Sequence, residues 1–196
     1  MDASSRIRET VQAHLQTVET AMAALEAPLL AAGRRLGEVL AGGGKVLVCG
    51  NGGSAADAQH FAAELVNRYE LERPALAAVA LTTDSSTLTS IANDDHFARV
   101  YARQVHALGR PGDVLLAIST SGDSANILEA LDAARDQGMS RIALTGRDGG
   151  AAAARLGAGD LHLCVPGTST ARIQEVHILV LHCLCDLIDQ RLVTAT

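Results

Sequence analysis

His60 and Glu64 stand four residues apart in a stretch with helical character, so both side chains project from one helical face. An imidazole and a carboxylate at that spacing suit a metal pair or a proton-transfer pair, and equally a solvated surface contact. A second set of polar groups, Gln174, Glu175 and His182, is embedded in the otherwise apolar run from Ala171 to His182. Helical rotation puts these three within about 80–100° of one another, whereas His177 projects from a different face. Polar groups in such a helix need partners, because leaving one unpaired costs about 1–3 kcal/mol. Spacing alone leaves open which histidine is functional, and a hydrogen-bonded core histidine is the alternative for either.

Two loops offer a place for a ligand, the first of them for an anion. The apolar run Val114 to Ile118 stops in a hydroxyl cluster, Ser119, Thr120, Ser121 and Ser124, and an alanine-rich helical pattern follows at once. This reads as a buried strand, a tight loop and a helix N-terminus, where hydroxyls, free backbone N–H groups and the helix dipole together suit a phosphate. A single helix cap would need one hydroxyl rather than four. The second loop is Gly50-Asn51-Gly52-Gly53-Ser54, whose glycines let backbone approach a ligand and whose Ser54 can cap the next helix, although a tight strand-to-helix turn alone is the alternative. Thr82-Thr83-Asp84 and Asn93-Asp94-Asp95 supply polar groups for sugar hydroxyls, although ordinary Asx turns account for them equally well.

The elements that must hold these groups follow from the pattern. Strands are expected at 45–49, 76–81, 113–118, 141–145 and 161–165, and helices at 54–68, 96–107, 124–137, 150–156 and 170–191. Residues 4–41 read as helical, with Val11, Leu15, Val18, Met22 and Leu25 at spacings of three and four, and Pro28 marks a break or kink. Strands this apolar are buried on both faces, so the expectation is a doubly wound five-stranded parallel α/β sheet flanked by helices, with an N-terminal helical extension. The whole chain, 1–196, reads as a single domain: a helical region at 1–41 and an α/β core at 42–196. The length of the N-terminal helix suggests that it packs on another subunit.

Composition narrows the class. Hydrophobic residues make up 48% of the chain but aromatics only 2%, so the core must be built from Ala, Leu, Val and Ile. The net charge of −6 and the lack of a basic block argue against direct nucleic-acid binding, which rests on neutralising phosphates. No run approaches the roughly 20 apolar residues of a membrane helix, and the first residues lack the compact apolar core of a signal peptide. Cys49, Cys164, Cys183 and Cys185 form no CxxC pair and read as ordinary buried thiols. A cytoplasmic protein is expected.

These strings together resemble the sugar-isomerase (SIS) domain family, and within it the bacterial phosphoheptose isomerases. The resemblance is carried by Gly44–Ser54, His60-Phe61-Ala62, the Ile118–Asn126 loop, Leu144–Gly150 and Arg172–His177, and covers roughly residues 35 to 190. It implies aldose–ketose isomerisation of sedoheptulose 7-phosphate to D-glycero-D-manno-heptose 7-phosphate, for bacterial surface heptose, in a homotetramer with active sites between subunits. The family's base matches Glu64 and its partner acid His182. Some members hold zinc, and the four ligands match His60, Glu64, Gln174 and His182. Sugar-phosphate contacts match Asn51, Gly52, Gly53, Ser54, Asn93, Asp94, Ser119, Thr120, Ser121, Ser124 and Gln174, with Arg68 reaching a neighbouring site.

The chain is also similar to a non-enzymatic cousin on the same fold that binds the replication initiator DnaA, in passages such as Asn67–Glu70, Val100–Val105 and Cys183–Asp189. That cousin lacks the carboxylate and the second imidazole, both present here as Glu64 and His182, which favours the enzyme. One departure from many isomerases is Asp123 in place of Asn. A carboxylate beside a phosphate is unfavourable unless it points away or caps a helix.

Overall fold

A computed structural model describes residues 2–193. Five strands form one parallel sheet in the order β2-β1-β3-β4-β5: β1 Val46–Gly50, β2 Ala78–Ala80, β3 Val114–Ser119, β4 Ser140–Gly146 and β5 Leu161–Val165. Seven helices cover it: α1 Ala3–Ala41, α2 Gly53–Val66, α3 Ser85–Asp94, α4 Ala102–Leu108, α5 Ala125–Asp136, α6 Gly150–Arg155 and α7 Thr170–Val193, with one 3₁₀ turn at Phe97–Arg99. β1 and β3 are buried along their whole length, as their uninterrupted apolar sequences require. One core layer joins α1, α2 and α7 to one face of the sheet through Leu36, Phe61, Leu65, Val180 and Leu184. The other joins α4 and α5 to the opposite face through Val105, Leu131 and Ala134. Leucines and valines fill both layers, each contributing about 1.5–3 kcal/mol when fully buried.

The chain order reverses direction across the sheet between β1 and β3, which lie side by side with Gly50 opposite Ile118. The loops after these strands therefore flank the crevice where open α/β sheets bind ligands. The glycine loop and the hydroxyl loop both sit there.

Several boundaries differ from expectation. α1 runs unbroken through Pro28. Proline removes one intrahelical hydrogen bond, but α1 is clasped against α7, with Gly33 against Leu187 and Gly37 against Arg191. Tertiary packing of this face outweighs the local loss. The expected helix 96–107 is a 3₁₀ turn followed by α4, and Tyr101 between them turns inward to donate from its hydroxyl to the carbonyl of Gly50 at 2.6 Å. α3 was not expected at all. Its start is an Asp84 cap, whose carboxylate accepts from the N–H of Thr87 at 3.1 Å and from its hydroxyl at 2.7 Å. Hydroxyl-rich sequence hides helices, because Ser and Thr compete for backbone bonds. The edge strand β2 shrinks to three residues.

Candidate active site

At the tail end of the crevice, the hydroxyl loop is shaped by its own side chains. Ser119 Oγ accepts from the N–H of Gly122 at 3.1 Å, and Ser121 Oγ from the N–H of Asp123 at 3.2 Å. Both hydroxyl protons remain available to a ligand. Ser124 occupies the N-cap position of α5 but makes no side-chain cap, so the first-turn N–H groups have no side-chain acceptor. The carboxylate of Asp123 turns elsewhere: Oδ1 accepts from the N–H of Ala151 at 2.9 Å, at the start of α6. The charge that could have opposed a phosphate is thus engaged by another helix.

The glycine loop is locked to the hydroxyl loop by a reciprocal amide pair. Asn51 Nδ2 donates to Asn126 Oδ1, and Asn126 Nδ2 to Asn51 Oδ1, each at 2.8 Å. Asn126 is buried on the first turn of α5. Gly52, not Ser54, is the N-cap of α2 and has no side chain to cap with; Ser54 is buried one residue inside the helix. The expectation of a Ser54 cap fails because φ at the cap is +56°, a conformation that favours glycine. Gly53 is required for a different reason: a Cβ there would overlap the amide of Gln174.

Gln174 therefore lies on the N-terminus of α2, and its Nε2 reaches Asp57 Oδ2 at 3.5 Å. Burial raises the Asp57 carboxyl above its ordinary value, while the Gln174 hydrogen bond and the His60 charge pull it back. One turn further along α2 comes the head of the site. His60 Nε2 faces His182 Nε2 at 2.9 Å, and Glu64 Oε1 lies 3.6 Å from the other nitrogen of His60. The Tyr69 ring lies over His182 at 5.6 Å, with 22° between the planes. Glu64 and His182 thus border the same imidazole from opposite sides. Gln174 and His182 are eight residues apart on α7, about 12 Å of helix rise, so Gln174 sits with the glycine loop rather than with the histidines. Among the described residues, no group of three or more His, Cys, Asp or Glu side chains is arranged to hold a metal ion.

The remaining candidates lie apart. Asn93 and Asp94 are exposed at the end of α3, where the Asn93 amide donates to the Asp94 carboxylate at 2.8 Å. Arg68 pairs with Glu72 at 2.9 Å on the surface. Glu175 turns toward α1, paired with His14 at 2.8 Å and with Arg172. His177 is the buried core histidine, its Nε2 against the carbonyl of Thr145 at 2.9 Å. Of the thiols, Cys49 and Cys185 are buried and pushed up to about 12, whereas Cys164 and Cys183 are only partly covered. Asp57, Tyr69, Tyr101 and Asn126 escaped the sequence reading. Asp57 had a signal, since it shares a helical face with His60 three residues on.

Burial holds the His177 imidazole down to about 4, against an ordinary value of 6.5. The unfolded chain therefore takes up a proton that the folded chain refuses, and stability falls as pH drops from about 6.5 toward 4, then levels. Burial lowers His162 as well and adds to the same limb. His177→Gln should flatten the dependence of melting temperature on pH across this window; an unchanged slope would place the acid loss elsewhere.

Residues 9–146 match the family model described as SIS domain. The chain is 61% identical over 189 residues to the phosphoheptose isomerase of Aromatoleum aromaticum, covering 96% of both chains. It is 59% identical to that of Thiobacillus denitrificans, covering 98% of both. Among solved structures, the phosphoheptose isomerase GmhA from Neisseria gonorrhoeae superposes with a TM-score of 0.92 at 50% identity, over 96% of this chain and 100% of that one. The phosphoheptose isomerase from Francisella tularensis gives 0.94 at 45% identity, over 97% and 100%. This chain belongs to the SIS domain family and, within it, to the phosphoheptose isomerases.

Proposed function

We propose that the chain interconverts sedoheptulose 7-phosphate and D-glycero-D-manno-heptose 7-phosphate, in the synthesis of bacterial surface heptose. The observation that carries this is the pairing of an anion loop freed of its own carboxylate, since Asp123 is engaged at α6, with an ionisable cluster of Glu64, His60 and His182. The hydroxyls of Ser119, Thr120, Ser121 and Ser124 and the α5 N-terminus hold the phosphate. Asn51, Gly52, Gly53, Ser54 and Gln174 line the sugar, and Arg68, which lies apart on the surface of its own chain, reaches a neighbouring subunit's site. Glu64 takes the C1 proton of the open-chain ketose, giving a cis-enediol, and returns it at C2. His182 moves protons among the oxygens and assists ring opening. Anchoring the far end lets remote binding energy orient the reacting carbons.

An active site shared between the subunits of a homotetramer is part of this reading, the head cluster of one chain serving the tail loop of a neighbour. Ile7, Val11 and Leu15 present an exposed apolar stripe on α1, consistent with such packing. A groove of about 590 Å³ between α1 and α7, lined by Met22, Leu29, Tyr69 and Leu179, leads to His182. A cytoplasmic location fits the free cysteines; among the described residues no helix is long and apolar enough to cross a membrane.

The donor chemistry of His60, Glu64, Gln174 and His182 suits Zn²⁺, and the facing Nε2 atoms are the part of that set already convergent. Only His60 and His182 converge; Glu64 and Gln174 would have to turn toward them before the set could hold the ion, which when bound would polarise the carbonyl and steady negative charge on the substrate oxygens. Turnover of sedoheptulose 7-phosphate by the purified protein, measured with and without a chelator, tests the whole reading. Product is expected, with a chelator-sensitive rate and zinc in the untreated protein by elemental analysis. No turnover, together with a specific complex with DnaA, would overturn it.

A further inference from the structure

Behind the head cluster lies a buried cation that the reaction does not touch. Arg73 sits in the 67–77 segment between α2 and β2; its side chain is 3% exposed, and that of its counter-ion, Asp189 on α7, 1%. Nε donates to Asp189 Oδ1 at 2.6 Å. Nη2 donates to the carbonyl of Glu64 at 2.8 Å, and Nη1 to the carbonyls of Leu65 at 2.9 Å and Pro74 at 3.1 Å. The Glu64 and Leu65 carbonyls belong to the last turn of α2, where intrahelical bonding runs out. Asp189 is seven residues past His182, two turns along nearly the same face of α7. One guanidinium thus fixes the turn that carries Glu64, the segment whose Tyr69 ring covers His182, and the helix that carries His182.

A stability device alone would be built differently. Asp189 Oδ2 is buried without a partner, so the pair is incompletely satisfied. Buried ion pairs are often replaceable by apolar residues at no cost in stability, whereas the geometry they impose is lost. We propose that Arg73 is a positioning residue for the isomerisation, holding Glu64 and the His60–His182 pair in register so that it governs turnover rather than substrate capture. The proposal rests on Glu64 as the base. Proton transfer is steeply dependent on placement, and a displacement of about 1 Å can cost on the order of 100-fold in rate. The phosphate grip, which lies in another part of the fold, is untouched.

The test is steady-state kinetics on sedoheptulose 7-phosphate, with melting temperatures, for Arg73→Met, Arg73→Lys and the double variant Arg73→Met/Asp189→Leu. The double variant is expected to recover most of the melting temperature lost in Arg73→Met, though not all of it, because the carbonyls of Glu64, Leu65 and Pro74 lose their donor, while kcat stays roughly 30-fold or more down with KM within about threefold. Arg73→Lys, which keeps the charge, should recover part of kcat; it and the double variant carry the test if Arg73→Met does not fold. Recovery of kcat together with melting temperature in the double variant would reduce Arg73 to a structural residue, and a rise in KM at unchanged kcat would also overturn the proposal. Glu64→Gln, assayed alongside, separates the two readings. If that variant turns over normally the base assignment falls; if it is inactive while the Arg73 variants keep full kcat, only the positioning role falls.

Discussion

Glu64→Gln is expected to lower kcat by about 10²- to 10⁴-fold while substrate affinity stays within about threefold, the scale that a positioned general base supplies. The amide keeps the shape of the carboxylate, so the last turn of α2 and its contact near His60 need not rearrange. What disappears is the ability to accept a proton from C1. Isothermal titration with the sugar phosphate separates capture from chemistry, and exchange of the C1 proton with deuterated solvent reports the enediol directly. The variant should bind, and should neither exchange nor isomerise. Wild-type turnover would remove Glu64 from the mechanism, whatever the phosphate loop does.

Gly122→Ala should damage both the phosphate grip and the fold around it. Gly122 has φ of +74°, and a Cβ at this position would overlap the carbonyl of Gly149, which is backbone and cannot swing aside. The same residue accepts a hydrogen bond from the N–H of Ala152 at 2.9 Å, so the hydroxyl loop and the 146–150 turn are built as one unit. A left-handed conformation alone costs a side chain about 1–2 kcal/mol, and the overlap adds to it, so a loss of about 2–4 kcal/mol is expected. KM for the heptulose phosphate should rise at least about tenfold, since misplaced N–H groups no longer meet the phosphate. Ser119→Ala combined with Ser121→Ala supplies the comparison: Gly122 keeps its conformation and its bond from the Ala152 N–H, the hydroxyl donors are lost together with their bonds from the N–H groups of Gly122 and Asp123, and KM rises with a smaller change in melting temperature. An unchanged KM in both would mean that the phosphate binds elsewhere.

Much of the fold was legible because its signals are local. Five apolar runs became five parallel strands, and the glycine and hydroxyl clusters emerged at strand ends because such residues interrupt helical and extended periodicity alike. The errors were also physical. Pro28 reads as a break until α7 is laid against α1, and Asp84 with its hydroxyl-rich neighbours reads as a loop although it caps α3. The Asp123 question could be posed from the sequence but not answered, because its partner, the Ala151 N–H, lies 28 residues away.

The sequence by itself determined the class of protein, the order of elements, the hydroxyl loop that can hold an anion and the glycine loop that lets a ligand approach, since these depend on composition, periodicity and turn chemistry within a few residues. Its resemblance to the family could also name Glu64 and His182, but not say what stands between them. Only the tertiary structure decided that both border the ring of His60, that Gln174 rests on Gly53 a helical stretch away, and that Arg73 braces the turn behind Glu64. Those relations join α2, α7 and the 67–77 segment, and they exist only once the sheet has set the helices side by side.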